Sequence, residues 1–245
     1  MTNYFGERIA RNYDADSTGM FHPAVVERTV DFLARLASGG AALELGIGTG
    51  RIALPLRERG IPVHGIDLSA DMVAQLRSKP GAEAIGVTLG DFASTRVEGN
   101  FRLAYLVYNT ITNLTTQDEQ VACFCNVAAH LEPGGCFVIE VGVPQLRRLP
   151  PGDTVQAFDV SPSHLGFDEL DVARQLGVSH HHWVADGRAE TFSMPFRYVW
   201  PAELDLMARI AGLRLRERWA GWEREPFTSD STSHVSVWEK TGDPG

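Results

Sequence analysis

The stretch Ala42-Leu43-Glu44-Leu45-Gly46-Ile47-Gly48-Thr49-Gly50-Arg51 constrains the fold of this chain more than any other. An apolar run ends in an acid, three glycines follow at alternate positions, and helix-compatible sequence resumes at once. Glycine adopts the left-handed backbone without steric cost and leaves main chain bare for a ligand to approach. The stretch therefore predicts a strand, a tight turn and the start of a helix, an arrangement that suits nucleotide-like molecules.

Around this turn the pattern alternates between strand and helix. A helix begins near Pro23, a favourable first helical position. Val30, Leu33 and Leu36 lie on its apolar stripe, and Gly39-Gly40 stops it. Strands are predicted over 41–45, 61–66, 84–89, 101–108 and 136–141, with helices over 50–59 and 117–131 and one capped by Ser69. The 117–131 helix closes at Pro133-Gly134-Gly135. Such alternation predicts a doubly wound α/β fold, a Rossmann-like sheet of about seven strands with its last pair antiparallel. That last pair falls at 213–219 and 234–238, after a helix opening at Pro201. Between 144 and 197 short polar-apolar alternations and the turn signal Asp186-Gly187 predict an inserted antiparallel β cap. Residues 1–143 and 198–245 then form one ligand-binding domain and 144–197 an insertion over it.

With 245 residues the chain fits one sizeable α/β domain with a modest insertion. No run approaches the ~18 apolar residues of a membrane helix, and the amino terminus lacks the pattern of a secretory signal. The cysteines, Cys123, Cys125 and Cys136, are odd in number and wrongly spaced for a disulfide framework or zinc ribbon, so all three read as buried packing. A reducing cytoplasm is the expected compartment. A net charge of −9 without a basic block argues against nucleic-acid partners, whose affinity rests on basic side chains at phosphates.

The dinucleotide fingerprint sets its third glycine five residues after the first, whereas Gly50 lies four after Gly46. Glu44, just before the turn, suits a ligand with positive charge. S-adenosyl-L-methionine has no phosphate and carries both an ammonium and a sulfonium. Three further stretches follow in order: Gly65-Ile66-Asp67-Leu68-Ser69, Gly90-Asp91-Phe92 and Leu131-Glu132-Pro133-Gly134-Gly135. Together these resemble the motifs of class I S-adenosylmethionine-dependent methyltransferases of the small-molecule type, closely over 41–143 and more loosely over 201–240.

The resemblance implies an S-adenosyl-L-methionine site built from Glu44, Gly46, Gly48 and Gly50. It places Asp67 at the ribose hydroxyls, and Asp91 at the adenine amino group with Phe92 beside the ring. Leu68 and Met72 line the adenosine pocket, although both also fit core positions. Tyr13, in a Tyr13-Asp14 pair, closes over the donor or merely anchors the first segment. Tyr108 and Asn109 end the fourth strand where methyl-facing residues stand; the plainer role for Asn109 is a loop turn. The Asn/Asp-Pro-Pro-aromatic sequence of enzymes acting on nucleic-acid bases or glutamine is missing. The expected activity is methyl transfer to O or N of a small-molecule acceptor. A protein or RNA methyltransferase and a non-catalytic S-adenosylmethionine-binding protein are the alternatives, and glycine spacing weighs against a nicotinamide oxidoreductase.

In a strand His180 and His182 share one face while His181 points away. Two ligands without a third make no metal site. Histidine titrates near neutrality and can serve as a general base, so His180 and His182 are the catalytic candidates, against ordinary cross-strand pairing. Arg197-Tyr198-Val199-Trp200 and the pair Trp219 and Trp222 either wall a pocket or seal the insertion to the core.

Overall fold

The computed structural model describes residues 2–16, 18–185 and 188–242. The lead-in forms two short helices, α1 (Glu7–Asp16) and α2 (Thr18–Phe21), followed by α3 (Pro23–Ala37). Pro23 opens α3 where its missing amide hydrogen has no helical partner to lose, and Ser38 ends it in the left-handed conformation. The alternating part runs β1 (Ala42–Leu45), α4 (Ala53–Glu58), β2 (Val63–Asp67), α5 (Ala70–Arg77), β3 (Gly86–Leu89), β4 (Phe101–Leu106), α6 (Gln117–His130) and β5 (Leu131–Gly142). The insertion supplies β6 (Val155–Val160), β7 (His164–Asp171), β8 (Leu176–Ala185) and β9 (Arg188–Arg197). Then come α7 (Pro201–Ile210), β10 (Leu213–Trp219) and β11 (Ser233–Lys240).

The main sheet has the order β10-β11-β5-β4-β1-β2-β3. Strands β1 to β5 pair in parallel, and β11 runs antiparallel to both β5 and β10. All of β1 is buried, which is why its residues are apolar except for the acid Glu44. Its side chains alternate between two cores: Leu43 and Leu45 join Phe124, Phe137 and Trp238, while Ala42 joins Phe32, Leu56 and Tyr105. No helix among the described residues is long and apolar enough to cross a membrane.

Two expectations need correcting. Pro133-Gly134-Gly135 is no loop ahead of a strand: pairing starts at Leu131 with Phe101 and resumes at Cys136 with Leu103, so the tripeptide bulges within β5. Gly134 takes a φ of 76° there, a conformation that proline-glycine sequences supply inside a bulge as readily as in a turn. Cys125 is exposed while Cys123 and Cys136 are buried. Two residues along a helix turn a side chain by roughly 200°, so Cys123 and Cys125 cannot share a face of α6. Asp186-Gly187 lies outside the described residues, though Ala185 pairs with Arg188 on either side of it.

The cap strands form a second, wholly antiparallel sheet in the order β6-β7-β8-β9. Its junction with the main domain is polar and buried. Arg197, ending β9, donates to Glu203 Oε1 at 2.7 Å and to Gln120 Oε1 at 2.6 Å. Glu203 also accepts from Gln117 at 2.7 Å and Gln175 at 2.9 Å. Arg197 thus seals cap to core. Burial would raise the Glu203 carboxyl, but the hydrogen bonds from Gln175, Arg197 and Gln117 outweigh it and hold the group below its ordinary value.

Glu203→Gln leaves a buried guanidinium without its counter-charge and is expected to lower the unfolding free energy by about 3 kcal/mol, measured by urea denaturation at neutral pH. Because the folded value is depressed, the pair's contribution is complete above the carboxyl's unfolded range and vanishes as pH falls through the folded value. The gap between wild type and variant should therefore close in acid. A constant gap would mean that packing, not charge, holds the junction.

Candidate active site

The glycine turn is fixed from both sides. Gly46 donates to Ile66 O at 2.8 Å, stitching the end of β1 to β2. Gly46, Gly48 and Gly50 have φ values of 69°, 55° and 80°, in the region that L side chains avoid. Space is also short: a Cβ on Gly46 would sit 2.7 Å from Thr110 Cγ2, and one on Gly50 2.3 Å from Leu76 Cδ1. Across the turn, Asp67 Oδ2 accepts from Gly48 N at 2.6 Å and Oδ1 from Ser69 N at 2.8 Å. Burial pushes the Asp67 carboxyl above its ordinary value against these amide donors.

A cavity of about 890 Å³ opens at the carboxyl ends of β1, β2 and β4, between the turn, α1 and the cap sheet. Ligands of open α/β sheets collect at this end. Tyr13, Gly46, Gly48, Asp67, Leu68, Met72, Phe92, Tyr108 and Asn109 all line it, as the motifs lead one to expect. Gly50 instead packs on Leu76 and Leu54. Asp91 turns Oδ1 to Ala93 N at 2.8 Å.

Glu44 lies against a separate void of about 40 Å³ that shares Tyr13, Gly46, Gly48, Tyr108 and Thr110 with the main cavity. Tyr105 Oη donates to Glu44 Oε2 at 2.9 Å, and burial pushes the carboxyl up to about 8. The electrostatic ground for pairing Glu44 with a cation is accordingly narrower than the sequence implied. Burial disfavours the carboxylate, Tyr105 and Arg51 favour it, and a further positive charge close by would favour it more.

Tyr108 and Asn109 both hold left-handed backbones, with φ of 53° and 61°. Consecutive non-glycine residues in this region are sparse and persist only where their surroundings over-determine them. Glu140 does so here: its Oε2 accepts from Tyr108 N at 2.9 Å and its carbonyl from Asn109 N at 3.1 Å. Asn109 Oδ1 in turn accepts from Gly142 N at 2.7 Å. Trp222 packs edge-on against Phe32 at 5.3 Å and donates to Glu140 Oε1 at 2.9 Å, so this tryptophan steadies the strand end without walling the cavity.

Tyr13 stands between Phe5 and Phe21 with ring centroids 6.1 and 6.3 Å away, and burial pushes its phenol up to about 12. The following residue clamps α1 over the turn: Thr49 Oγ1 donates to Asp14 Oδ1 at 2.6 Å, and Lys79 Nζ ties Thr49 O at 2.8 Å.

The cap presents the face opposite to the catalytic candidates. His180 and His182 stack on Phe167 at 4.9 and 5.8 Å, away from the cavity, whereas His181 lines it. The alternation was correct; which face meets the cavity depends on how the cap folds over the sheet, and no local signal carries that. Phe158, Asp159, His164, Asp168, Ser179 and Trp183 join His181 on this wall. Among the described residues no cluster of His, Cys, Asp or Glu is arranged to hold a metal.

A parallel sheet reversed only at β11, a glycine turn after β1 and an acid closing β2 define a class I methyltransferase core. A family model described as a methyltransferase domain matches residues 42–135. The CcbJ methyltransferase of Streptomyces caelestis is 35% identical, covers 98% of this chain and 99% of its own, and superposes with a TM-score of 0.87. The cypemycin N-terminal methyltransferase of a Streptomyces species is 27% identical over 213 residues, 84% of this chain and 85% of that one. The S-adenosylmethionine-bound amino pentose methyltransferase CalS10 of Micromonospora echinaspora, 21% identical, shares the fold with a TM-score of 0.72 over 94% of this chain and 96% of its own. The chain belongs to the class I S-adenosylmethionine-dependent methyltransferase family, and S-adenosylmethionine is its methyl donor.

The residues present fit that donor. Bare main chain at Gly46 and Gly48, a buried acid at Asp67 and the apolar surfaces of Leu68, Met72 and Phe92 meet on one side of the cavity.

Proposed function

We propose that this enzyme methylates a nitrogen or oxygen of a small-molecule acceptor held between the glycine turn and the cap formed by 144–197. The observation that carries this reading is the cavity of about 890 Å³, near the upper end of the range for drug-sized ligands and roomy enough for a donor plus a second small molecule. Two relatives add weight, since their names specify an amino pentose and a cypemycin N-terminus. A net charge of −9 counts against RNA as the acceptor.

When bound, the donor supplies an electrophilic methyl on a sulfonium whose departure needs no acid. The chain's task is then to bind, orient and exclude water. Asp67 takes the ribose hydroxyls; Leu68, Met72 and Phe92 wall the adenine, with Asp91 at its amino edge. Gly46 and Gly48 offer main chain to the amino-acid part, beside Glu44, and Gly50 keeps the turn close to α5. Tyr13, clamped through Asp14, closes the donor from above. Tyr108 and Asn109, held by Glu140, face the reacting carbon and set the acceptor's line of approach.

The test is label transfer from methyl-labelled S-adenosylmethionine into three separate pools: amino sugars with small amines, alcohols and short peptides; folded proteins; and RNA. Label is expected in low-mass product alone. Label confined to protein or RNA, or label nowhere, would overturn the reading.

A further inference from the structure

Five polar side chains on the cap wall form one hydrogen-bonded chain. Asp159 Oδ2 lies 2.7 Å from His164 Nδ1, and His164 Nε2 lies 3.0 Å from His181 Nδ1. His181 Nε2 is 3.3 Å from Ser179 Oγ, and the Ser179 hydroxyl also hydrogen-bonds Asp168. All five line the cavity, although they come from β6, β7 and β8. The imidazoles of His164 and His181 stack with Trp183, every ring pair 5.2 Å apart and within 12° of parallel. The rings are therefore held in register by packing as well as by hydrogen bonds.

The chain has a direction. A carboxylate only accepts, so Asp159 selects the His164 tautomer with its proton on Nδ1. His164 Nε2 then accepts from His181 Nδ1, which leaves a lone pair on His181 Nε2. Ser179 owns one hydroxyl proton, and the Asp168 carboxylate competes for it as the stronger acceptor. The His181 Nε2 lone pair thus stands 3.3 Å from an oxygen whose proton is directed elsewhere, on a residue that lines the cavity. Once protonated, the same nitrogen donates to Ser179 Oγ, and every member of the chain is satisfied. At the far end the Asp159 side chain is 43% exposed against 17% for His164, so the chain ends on a more open member.

We propose that Asp159, His164, His181, Ser179 and Asp168 form a proton relay in which His181 Nε2 receives the proton shed by the methyl acceptor. The proposal rests on the small-molecule methyltransferase reading above. The acceptor's nitrogen or oxygen forms its bond to the methyl carbon with its own electron pair, and the carbon–sulfur pair leaves with sulfur. The acceptor's N–H or O–H bond breaks and an N–H bond forms on His181. The imidazolium passes its Nδ1 proton to His164, opposite Asp159. Burial, reinforced by His164, holds His181 below the ordinary histidine value, so it is neutral and ready at pH 7. The remaining charged groups around this wall are Glu190 of β9 and Arg8 of α1, joined at 2.7 Å, and His180 and His182 on the reverse face of β8.

Histidine-selective nitrogen NMR on the full chain, titrated through neutral pH, tests the relay directly. His181 should titrate below the ordinary histidine value, and Asp159→Asn, which keeps size and hydrogen bonding, should lower its midpoint further. A His181 titration untouched by Asp159→Asn would overturn the proposal. Kinetics with whichever pooled small acceptor the unaltered enzyme methylates supply the second arm. His181→Gln should lower kcat about 100-fold, abolish the rise of rate with pH through the His181 midpoint, and leave the dissociation constant of S-adenosylmethionine unchanged. An unaltered rate, or a loss equal at every pH, would also overturn it. Failure of the unaltered enzyme to methylate any small acceptor would instead defeat the underlying reading, and the NMR arm alone would then decide whether the relay exists.

Discussion

Asp67→Ala is expected to weaken S-adenosylmethionine binding on the order of 100-fold, read by calorimetric titration. The carboxylate stands at a junction: Oδ2 takes the Gly48 amide of the turn and Oδ1 the Ser69 amide at the head of α5. Removing it orphans two buried donors at about 1–3 kcal/mol each and takes the ribose acceptor with them. Part of that loss falls on the fold, so a melting curve belongs beside the titration. Asp67→Asn separates the effects, because an amide oxygen still accepts one bond while the amide nitrogen opposes the second. Its affinity should fall between wild type and alanine. An unchanged affinity in Asp67→Ala would place the ribose elsewhere.

Gly46→Ala is expected to abolish methyl transfer while leaving a folded protein. The φ of 69° costs an alanine about 1–2 kcal/mol. The decisive contact is the new Cβ, which would meet Thr110 Cγ2 at 2.7 Å. Thr110 cannot simply yield, since its hydroxyl donates to Val107 O at 2.7 Å, and it belongs to the same turn as Tyr108 and Asn109. A methyl group at Gly46 therefore pushes on the Tyr108–Asn109 backbone, which we assign to the reacting carbon. Gly60→Ala is the control: φ is 82°, yet nothing lies within 4 Å of the added Cβ. It should lose a comparable amount of stability and keep full activity. Equal losses of activity in both variants would mean that backbone strain, not the Thr110 contact, decides the site.

The core of the fold was legible because buried parallel strands leave a strong local imprint. The run before Gly46 is apolar apart from Glu44 since both faces of β1 are covered, and Ser69 marks the head of α5 because a serine there caps it, accepting from Met72 N at 3.2 Å. That the glycine turn and the ends of β2 and β4 would line one cavity was legible for a similar reason. These residues sit at the ends of consecutive strands, so motif order in sequence becomes adjacency in space. Glu44 was found but its charge state was not, because that depends on Tyr105 and on burial from several elements.

The cap side of the cavity was not legible. His180, His181 and His182 gave the right alternation and the wrong face, since a strand's two sides look alike until a second body covers one of them. Asp159 and His164 drew no notice at all; their roles depend on cross-strand register, with His164 opposite Trp183 and Gly166 opposite His181. Asp159 also stands at a register shift in β6, which turns both it and Phe158 to the cavity. Of the two roles left open for Arg197 and Trp222, pocket wall or seal, Arg197 takes the seal through Glu203, while Trp222 holds the β4 end through Glu140.

The most direct test of the whole arrangement is a crystal structure with S-adenosylhomocysteine. The ribose is expected on Asp67, the adenine between Leu68, Met72 and Phe92, and the sulfur beside Tyr108 and Asn109, pointing across open cavity at His181. Adenosine bound away from Asp67, or a sulfur turned from the cap wall, would contradict this assignment of donor and acceptor sides.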